Sequence, residues 1–292
     1  SAFDVGDKVG LAAPSYPAYK NILVALGLHA MEIPVGPSSH FQPTPELLDP
    51  HASDLDGLII ASPSNPTGSM IDVACHPIFA ELVACPPART VLEALGFLRP
   101  KWMSGYVISK PPASPALFWH QDWWGWNDPS SYTPIPQQLF LMYYLIDTTP
   151  HNGCLRLLRG SHLNRHHMHD LVPNAHTDEL RQVVDPDHPA YQSIPEEVDV
   201  PVTAGDLIIG DSRLLHSAHA NKSDRHRTVI TLWYFPYFDL LSAGLRAAVA
   251  RPREFAGWDE EAKARTADFI PIYEGSAEPV AWNREPGPEL IP

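Results

Sequence analysis

The stretch Phe118-Trp119-His120-Gln121-Asp122-Trp123-Trp124-Gly125-Trp126 decides how this chain is interpreted. In an extended strand, residues i and i+2 point to the same face. His120 and Asp122 can therefore share one metal ion while Gln121 points away from it. An imidazole and a carboxylate supply only two ligands, so the pattern predicts one part of a metal centre and requires a further ligand from elsewhere in the chain.

The missing ligand is predicted in the run from Gly205 to His216. This run is typical of a tight turn, a buried strand and then a histidine beyond the end of the strand. His216 is the preferred candidate, and His219 competes with it. Two histidines and one carboxylate form the facial triad that holds non-haem Fe(II) and leaves positions open for substrate and oxygen. The spacing therefore favours an oxygenase.

An ordered set of motifs resembles the phytanoyl-CoA dioxygenase family, from roughly Asp72 to Pro236. The set consists of His120-Gln121-Asp122, the run Asn152 to His162, and His216 followed by Asn221, Ser223 and Arg227 at +5, +7 and +11. The last spacing fits His216 and does not fit His219, so His120, Asp122 and His216 are the predicted metal ligands. The resemblance implies Fe(II), 2-oxoglutarate as co-substrate, and a mainly β fold: a double-stranded β-helix (jelly-roll or cupin-like) with flanking helices.

The same resemblance implies a set of pocket residues. Arg227 would bind the distal carboxylate of 2-oxoglutarate, because a guanidinium forms two parallel hydrogen bonds to a carboxylate. Three further residues are expected around 2-oxoglutarate: Met142, Tyr144 and Ser223. Substrate contacts are expected from the tryptophan-rich loop and one arginine: Trp123, Trp124, Trp126 and Arg156. Packing in the core or in a lid is the alternative for the tryptophans.

The implied reaction is hydroxylation of an unactivated C–H bond of a small organic substrate, with release of succinate and CO2. Related halogenases carry a small residue where Asp122 stands, so hydroxylation is favoured over halogenation, while desaturation would use the same triad. One alternative is a catalytically inactive β-helix that only binds or scaffolds. Another is a cupin-type metal enzyme without 2-oxoglutarate, against which Arg227 argues.

Residues 1–71 have a different character from the rest of the chain. Short apolar strands alternate with a helical pattern, which predicts a small α/β segment. The runs Pro14 to Tyr19 and Gly57 to Gly68 resemble part of the large domain of class I/II pyridoxal-phosphate aminotransferases, where the residue matching Asn65 contacts the cofactor ring. No lysine lies in a Ser-x-x-Lys context like that of the family. We therefore expect a structural segment at 1–71, or the relic of a fusion, before a dioxygenase domain at 72–292.

Composition narrows the class of protein and its partners. The 292 residues are 44% hydrophobic and 18% charged, as in an ordinary globular protein. A net charge of −14 without basic clusters argues against nucleic acid and anionic membranes, and leaves a small-molecule substrate and O2 as the expected partners. Three scattered cysteines and no apolar run of membrane-spanning length favour a cytoplasmic protein. The histidine-rich run 162–176 is expected to be a solvated connection or a lid.

Overall fold

A computed structural model of the chain describes residues 3–39, 41–61, 73–172, 187–251, 255 and 257–292. Asn65, His176 and the expected boundary at residues 71 and 72 lie outside the described residues. Among the helices that are described, none is both long enough and apolar enough to cross a membrane.

The N-terminal segment is the expected small α/β unit. Strand β1 (Lys8–Ala13) lies between β2 (His29–Pro34) and β3 (Gly57–Ile59), and both pairings are parallel. Helix α1 (Pro17–Ala25) connects β1 to β2, and the short α2 (Pro45–Leu48) precedes β3. A small core holds the unit together, formed by Val9, Leu11, Leu23 and Leu28. Parallel neighbours joined by a helix are the arrangement that the strand–helix–strand pattern predicts.

Two antiparallel sheets form the main body. The major sheet has the order β4-β10-β5-β8, built from β4 (Lys101–Lys110), β5 (Leu139–Tyr144), β8 (Leu207–Asp211) and β10 (Arg227–Phe235). The minor sheet has the order β7-β6-β9, built from β6 (Leu155–Leu158), β7 (Glu197–Val200) and β9 (His216–Ala218). Between β5 and β10 the chain passes from the major sheet to the minor sheet and back twice, as in a double-stranded β-helix. The predicted fold class is confirmed.

Side chains alternate between the two faces of the major sheet. Phe140, Met142, Tyr144 and Val229 point into the barrel and pack with Leu155 of the minor sheet. The outward residues between them pack against three helices: α3 (Ile78–Val83), α4 (Pro86–Ala94) and α7 (Glu260–Thr266). This period of two is what the strand sequences predict. Two further helices, α5 (Met168–Leu171) and α6 (Ala243–Val249), lie outside these strands.

The segment that carries His120 and Asp122 is not the regular strand that the sequence predicts. It forms only isolated β-bridges, in which His120 pairs with His216 and Gly125 pairs with Asn283. The amides of Asp122 and Trp123 both donate to the carbonyl of Ser212, at 2.9 and 2.8 Å, so the ladder is distorted beyond His120. The cause is local, since the chain crosses from β8 to β9 through Ser212 and cannot continue a regular pairing there.

Candidate metal centre

The backbone brings the first and last predicted ligands together. The amide of His120 donates to the carbonyl of His216 at 3.0 Å, and the amide of His216 donates back at 2.9 Å. Asp122 follows two residues after His120, and its side chain lies on the same side of the chain as that of His120. The structure therefore brings His216 next to His120 and Asp122, although it lies far from them in sequence, and all three residues are buried.

The potential ligand atoms converge on one point. The Nε2 atom of His120 lies 3.6 Å from one carboxylate oxygen of Asp122, and the Nε2 atom of His216 lies 3.9 Å from the other. The two imidazole rings are 4.2 Å apart between centroids. One nitrogen from each ring and the carboxylate can therefore contact a single metal ion.

Both imidazoles are oriented by the chain itself. The Nδ1 atom of His120 lies 3.0 Å from the carbonyl oxygen of Phe118, and the Nδ1 atom of His216 lies 2.9 Å from that of Leu214. A ring that donates its Nδ1–H to a carbonyl holds its Nε2 lone pair free for a metal. The arrangement fixes the tautomer that a metal-binding histidine needs.

The carboxylate of Asp122 is held in its charged form. Burial alone raises its pKa, but His216, His120, Arg284 and a hydrogen bond from Trp233 oppose the burial, and the pKa is lowered overall. That hydrogen bond runs from the indole Nε1 of Trp233 to Oδ2 of Asp122 at 2.8 Å. Asp122 is therefore an ionised candidate ligand, and a residue of β10 holds its position.

Arg227 lies at the start of β10 with its side chain buried. Its Nε atom has no hydrogen-bond partner in the part of the chain that the structure describes, and no described carboxylate forms an ion pair with it. Burial lowers its pKa, while Tyr144 and Cys154 act in the opposite sense. A buried guanidinium with an unused donor needs an anionic partner. The residue thus fits the role expected for it towards a dicarboxylate.

Met142 and Tyr144 line the barrel between these groups. Tyr144 pairs with Val229, and Met142 pairs with Thr231, whose buried hydroxyl also has no partner among the described residues. Burial raises the pKa of Tyr144 to about 12, so its hydroxyl keeps its proton and can donate. The face that includes Arg227 therefore offers two hydrogen-bonding groups without a partner among the described residues, the Nε–H of Arg227 and the hydroxyl of Thr231, while the hydroxyl of Tyr144 makes only a long contact with the sulfur of Met142.

Ser223 is placed in a turn and not beside the triad. Its hydroxyl donates to the side-chain oxygen of Asn221 at 2.7 Å, and Asn221 donates to the carbonyls of Lys110, Pro111 and Arg225. These contacts shape the connection that leads into β10. Contact of Ser223 with 2-oxoglutarate stays a prediction, and the structure gives this residue a part in positioning Arg227.

The residues expected at the substrate are mostly engaged elsewhere. Trp123, Trp124 and Trp126 are almost fully buried and pack with Phe235 and the residues of α6, which agrees with the packing alternative. Arg156 donates to Ser193, Ser217 and the carbonyl of Tyr191, forms an ion pair with Glu197 at 3.0 Å, and covers the ring of Trp119. Their contact with substrate stays a prediction, and the structure adds no support for it.

The histidine-rich run differs from the expected solvated connection at one residue. His169 is buried in α5, and burial lowers its pKa to about 4. Its Nδ1 atom lies 3.1 Å from the carbonyl oxygen of His166. The interpretation as a solvated run is therefore wrong for His169, because the short helix turns this side chain inward.

Two residues near the triad were not predicted from the sequence. Trp233 could have been found from the alternation of β10, since it shares a face with Arg227. Arg284 could not have been found in this way, because it lies in an irregular tail. Its guanidinium donates to the carbonyl of Gln121 at 3.0 Å, although the two residues are 163 positions apart in sequence. A cation from the C-terminal tail thus lies next to the metal ligands.

Comparisons with known proteins agree with this geometry. The family profile of phytanoyl-CoA dioxygenase (PhyH) matches residues 64–229, and that of class I and II aminotransferases matches residues 1–83. Phytanoyl-CoA dioxygenase 1 of Oryza sativa subsp. japonica is 28% identical over 157 residues, covering 53% of this chain and 52% of the rice protein. Valine–pyruvate aminotransferase of Mycobacterium tuberculosis is 51% identical over 71 residues, covering 24% of this chain and 18% of that enzyme.

The chain thus spans about half the length of the plant relative and less than a fifth of the aminotransferase. Among solved structures, the non-heme alpha ketoglutarate dependent carbocyclase SnoK from nogalamycin biosynthesis is 26% identical, covering 57% of this chain and 62% of its own, with a TM-score of 0.41. The family match extends over more than half of the 292 residues and includes all three metal-binding candidates. The chain belongs to the phytanoyl-CoA dioxygenase family.

Proposed function

We propose that this chain is a non-haem Fe(II)- and 2-oxoglutarate-dependent dioxygenase that hydroxylates an unactivated C–H bond of a small organic molecule. The observation that carries the proposal is the buried convergence of His120, Asp122 and His216, with the Nδ1 atoms of both histidines next to backbone carbonyls. This donor set, two imidazoles and one carboxylate, suits Fe(II) and leaves open positions.

The residues present also fit 2-oxoglutarate. Arg227 offers a buried cation with an unused Nε–H, and Tyr144 keeps its phenol proton beside it. Arg227 would hold the distal carboxylate, which directs the keto acid end towards the triad. When bound, Fe(II) and 2-oxoglutarate together activate O2, so that one oxygen atom enters succinate and the other enters the hydroxylated product.

Asp122 favours hydroxylation among the possible outcomes. It occupies the position that a halide would need, and the hydrogen bond from Trp233 holds it there. One aromatic ring lies beside a candidate ligand and another beside the indole that holds Asp122: the ring centroids of Phe118 and His120 are 5.2 Å apart, and those of Tyr106 and Trp233 are 5.8 Å apart. We propose that Phe118 and Tyr106 contact the substrate, which would then present an apolar portion to the iron.

The test is formation of succinate from 2-oxoglutarate after anaerobic loading with Fe(II) and exposure to air. The unaltered chain should turn over slowly without substrate, while Arg227→Ala and His216→Ala should abolish succinate formation. Arg225→Ala is the matched control, because this exposed arginine lies two residues from Arg227 on the same connection and should leave turnover unchanged. A chain that binds Fe(II) and 2-oxoglutarate but forms no succinate, with or without candidate substrates, would refute the proposal and favour the scaffold alternative.

A further inference from the structure

A second group of metal-binding side chains lies at one end of the minor sheet. Cys154 directly precedes β6, Asp199 lies within β7, and His219 directly follows β9. One potential ligand atom from each of these residues lies within 4.8 Å of the other two. We propose that Cys154, Asp199 and His219 form a second metal site, which binds Zn²⁺ or a chemically similar ion such as Co²⁺.

The positions of these side chains are fixed by the sheet. Leu155 pairs with Val200 on one side and with Ala218 on the other, so the neighbours of all three ligands are hydrogen-bonded strand partners. The amide of His219 also donates to the carbonyl of Cys154 at 3.0 Å. Tetrahedral zinc with bonds of about 2.0–2.3 Å needs ligand atoms about 3.3–3.8 Å apart. The ligand atoms, which lie within 4.8 Å of one another, can reach these shorter separations by rotation of the side chains.

The donor set determines which ion fits. A thiolate, an imidazole and a carboxylate are ligands for Zn²⁺ and Co²⁺, whereas Mg²⁺ and Ca²⁺ prefer oxygen alone. The triad in the barrel contains no sulfur, so the two sites differ in chemistry. Side-chain exposure of 40% for Asp199 and 19% for His219 gives an ion access from solvent and leaves room for water as a fourth ligand.

A nucleophilic role for Cys154 does not fit its surroundings. The residue is fully buried, and burial together with Asp199 raises the pKa of its thiol to about 11. An organic electrophile has no route to a protonated thiol that is covered in this way. A metal ion that enters between Asp199 and His219 would instead displace the thiol proton to solvent and bind the thiolate.

The charges around the cluster allow a divalent ion. Arg156 and Arg227 act on Cys154 as positive neighbours and oppose a cation. Arg156 is already paired with Glu197 at 3.0 Å. The thiolate of Cys154 and the carboxylate of Asp199 together bring two negative charges, which balance a divalent ion. The contact between His219 and Asp199 (2.5 Å between Nε2 and Oδ1) would open so that both atoms face the ion.

The test is a titration of the full chain with Co²⁺, followed by absorption spectroscopy. The background carries Asp122→Ala and His216→Ala, so that the barrel site cannot bind. We expect one equivalent of Co²⁺ with a near-ultraviolet sulfur-to-cobalt charge-transfer band, which added Zn²⁺ removes. Cys154→Ser should abolish the band, and Cys85→Ser, at the other described free cysteine, should leave it intact.

Variants of Asp199 and His219 test the site without changing the buried Cys154, whose substitution could disturb folding. Asp199→Asn and His219→Gln should each weaken Co²⁺ binding at least tenfold, while Asp224→Asn, at another exposed aspartate, should have no effect. A folded protein without the sulfur band, or a band that survives Cys154→Ser, would overturn the proposal. Because the readout uses no turnover, it remains valid whether or not the barrel is an oxygenase.

Discussion

At the scale of single residues, the indole of Trp233 is the contact that most directly controls a metal ligand. Its Nε1–H donates to the Oδ2 atom of Asp122, while the Oδ1 atom of the same carboxylate faces His120. Partners of this kind orient the ligand and keep it charged, and their loss typically costs about 10–100-fold in metal affinity.

We therefore expect Trp233→Phe to weaken Fe(II) binding by about tenfold or more, with the overall fold retained. Anaerobic Fe(II) titration measures this directly. Trp102→Phe is the matched control, because the Nε1 atom of Trp102 donates to the carbonyl of Ser104 and its ring packs on the outer side of the same sheet. Equal iron affinity in the two variants would mean that Asp122 does not depend on the indole.

Arg227 allows a second prediction at this scale. Lysine keeps the positive charge but loses the planar fork that binds a carboxylate through two hydrogen bonds. Arg227→Lys should raise the KM for 2-oxoglutarate about tenfold or more and change kcat less, since the lost contact is made before the reaction. Steady-state succinate assays give both constants. An unchanged KM would show that another group binds the distal carboxylate.

At the scale of elements, the connection between β9 and β10 depends on Asn221. The side chain is fully buried, and its amide nitrogen donates to three backbone carbonyls that belong to two separate stretches of chain. The connection delivers Arg227 to the start of its strand. A packing defect here should therefore affect both stability and the binding of 2-oxoglutarate.

Asn221→Ala should lower the free energy of unfolding by about 2–4 kcal/mol, because buried carbonyls lose their donor. Urea denaturation measures the change. Ser223→Ala serves as the comparison, since its hydroxyl lies in the same turn and is only half-buried, and it should cost less than about 1 kcal/mol. A similar loss in both variants would place the stability in the turn as a whole and not in Asn221.

The end of β4 carries a lysine that makes stability depend on pH. Lys110 pairs with Arg227 in the ladder, and burial, with Arg227 and Arg156, lowers its pKa from 10.5 to about 8. Between these values the unfolded chain binds more protons than the folded chain. The free energy of unfolding contributed by this group therefore rises as the pH increases from about 8 to about 10.5.

The comparison with Lys110→Met isolates this effect from other titrating groups. Relative to the variant, the unaltered chain should gain stability between pH 7.5 and pH 10, as followed by urea denaturation at the two values. Lys222→Met replaces an exposed lysine and should show a smaller difference or none. A constant difference between the unaltered chain and Lys110→Met would show that the lysine is not destabilised by its surroundings.

The sequence predicted these elements unevenly, for physical reasons. The run from Gly205 to His216, predicted as a turn and a strand before a histidine, contains β8 (Leu207–Asp211), because an apolar run bounded by a turn marks a strand. The segment at His120 was predicted as a regular strand, since sequence cannot reveal that its partner bends at Ser212. The position of Arg284 depends on contacts between the irregular tail and the loop at Gln121, which have no local pattern.

At the scale of the whole molecule, the chain joins a small parallel α/β sheet to an antiparallel double-stranded β-helix. The N-terminal sheet has a small core around Val9 and Leu11, while Ile22 and Val24 of α1 and the following Leu26 are exposed to solvent. The barrel has several large buried clusters, including its aromatic groups. Stability should therefore be distributed unequally between residues 3–61 and residues 73–292.

Hydrogen exchange tests this division and the ligand site together. We expect amides of β1 and β2 to exchange through local opening and those of β5 and β10 only through opening of the barrel. Anaerobic Fe(II) with 2-oxoglutarate, at about 100 times the dissociation constant, adds about 2.7 kcal/mol to a state that binds them. Exchange in β5 and β10 should then slow about a hundredfold, while β1 and β2 keep their rates.

The double variant Asp122→Ala, His216→Ala is the control for this experiment, because it should lose the slowing in β5 and β10 without altering β1. If the ligands slow β1 as strongly as β10, the two parts unfold as one cooperative unit and residues 1–71 do not form a separate domain. In that case the aminotransferase-like sheet supports the barrel directly, and its exposed helix becomes the place to look for the coupling.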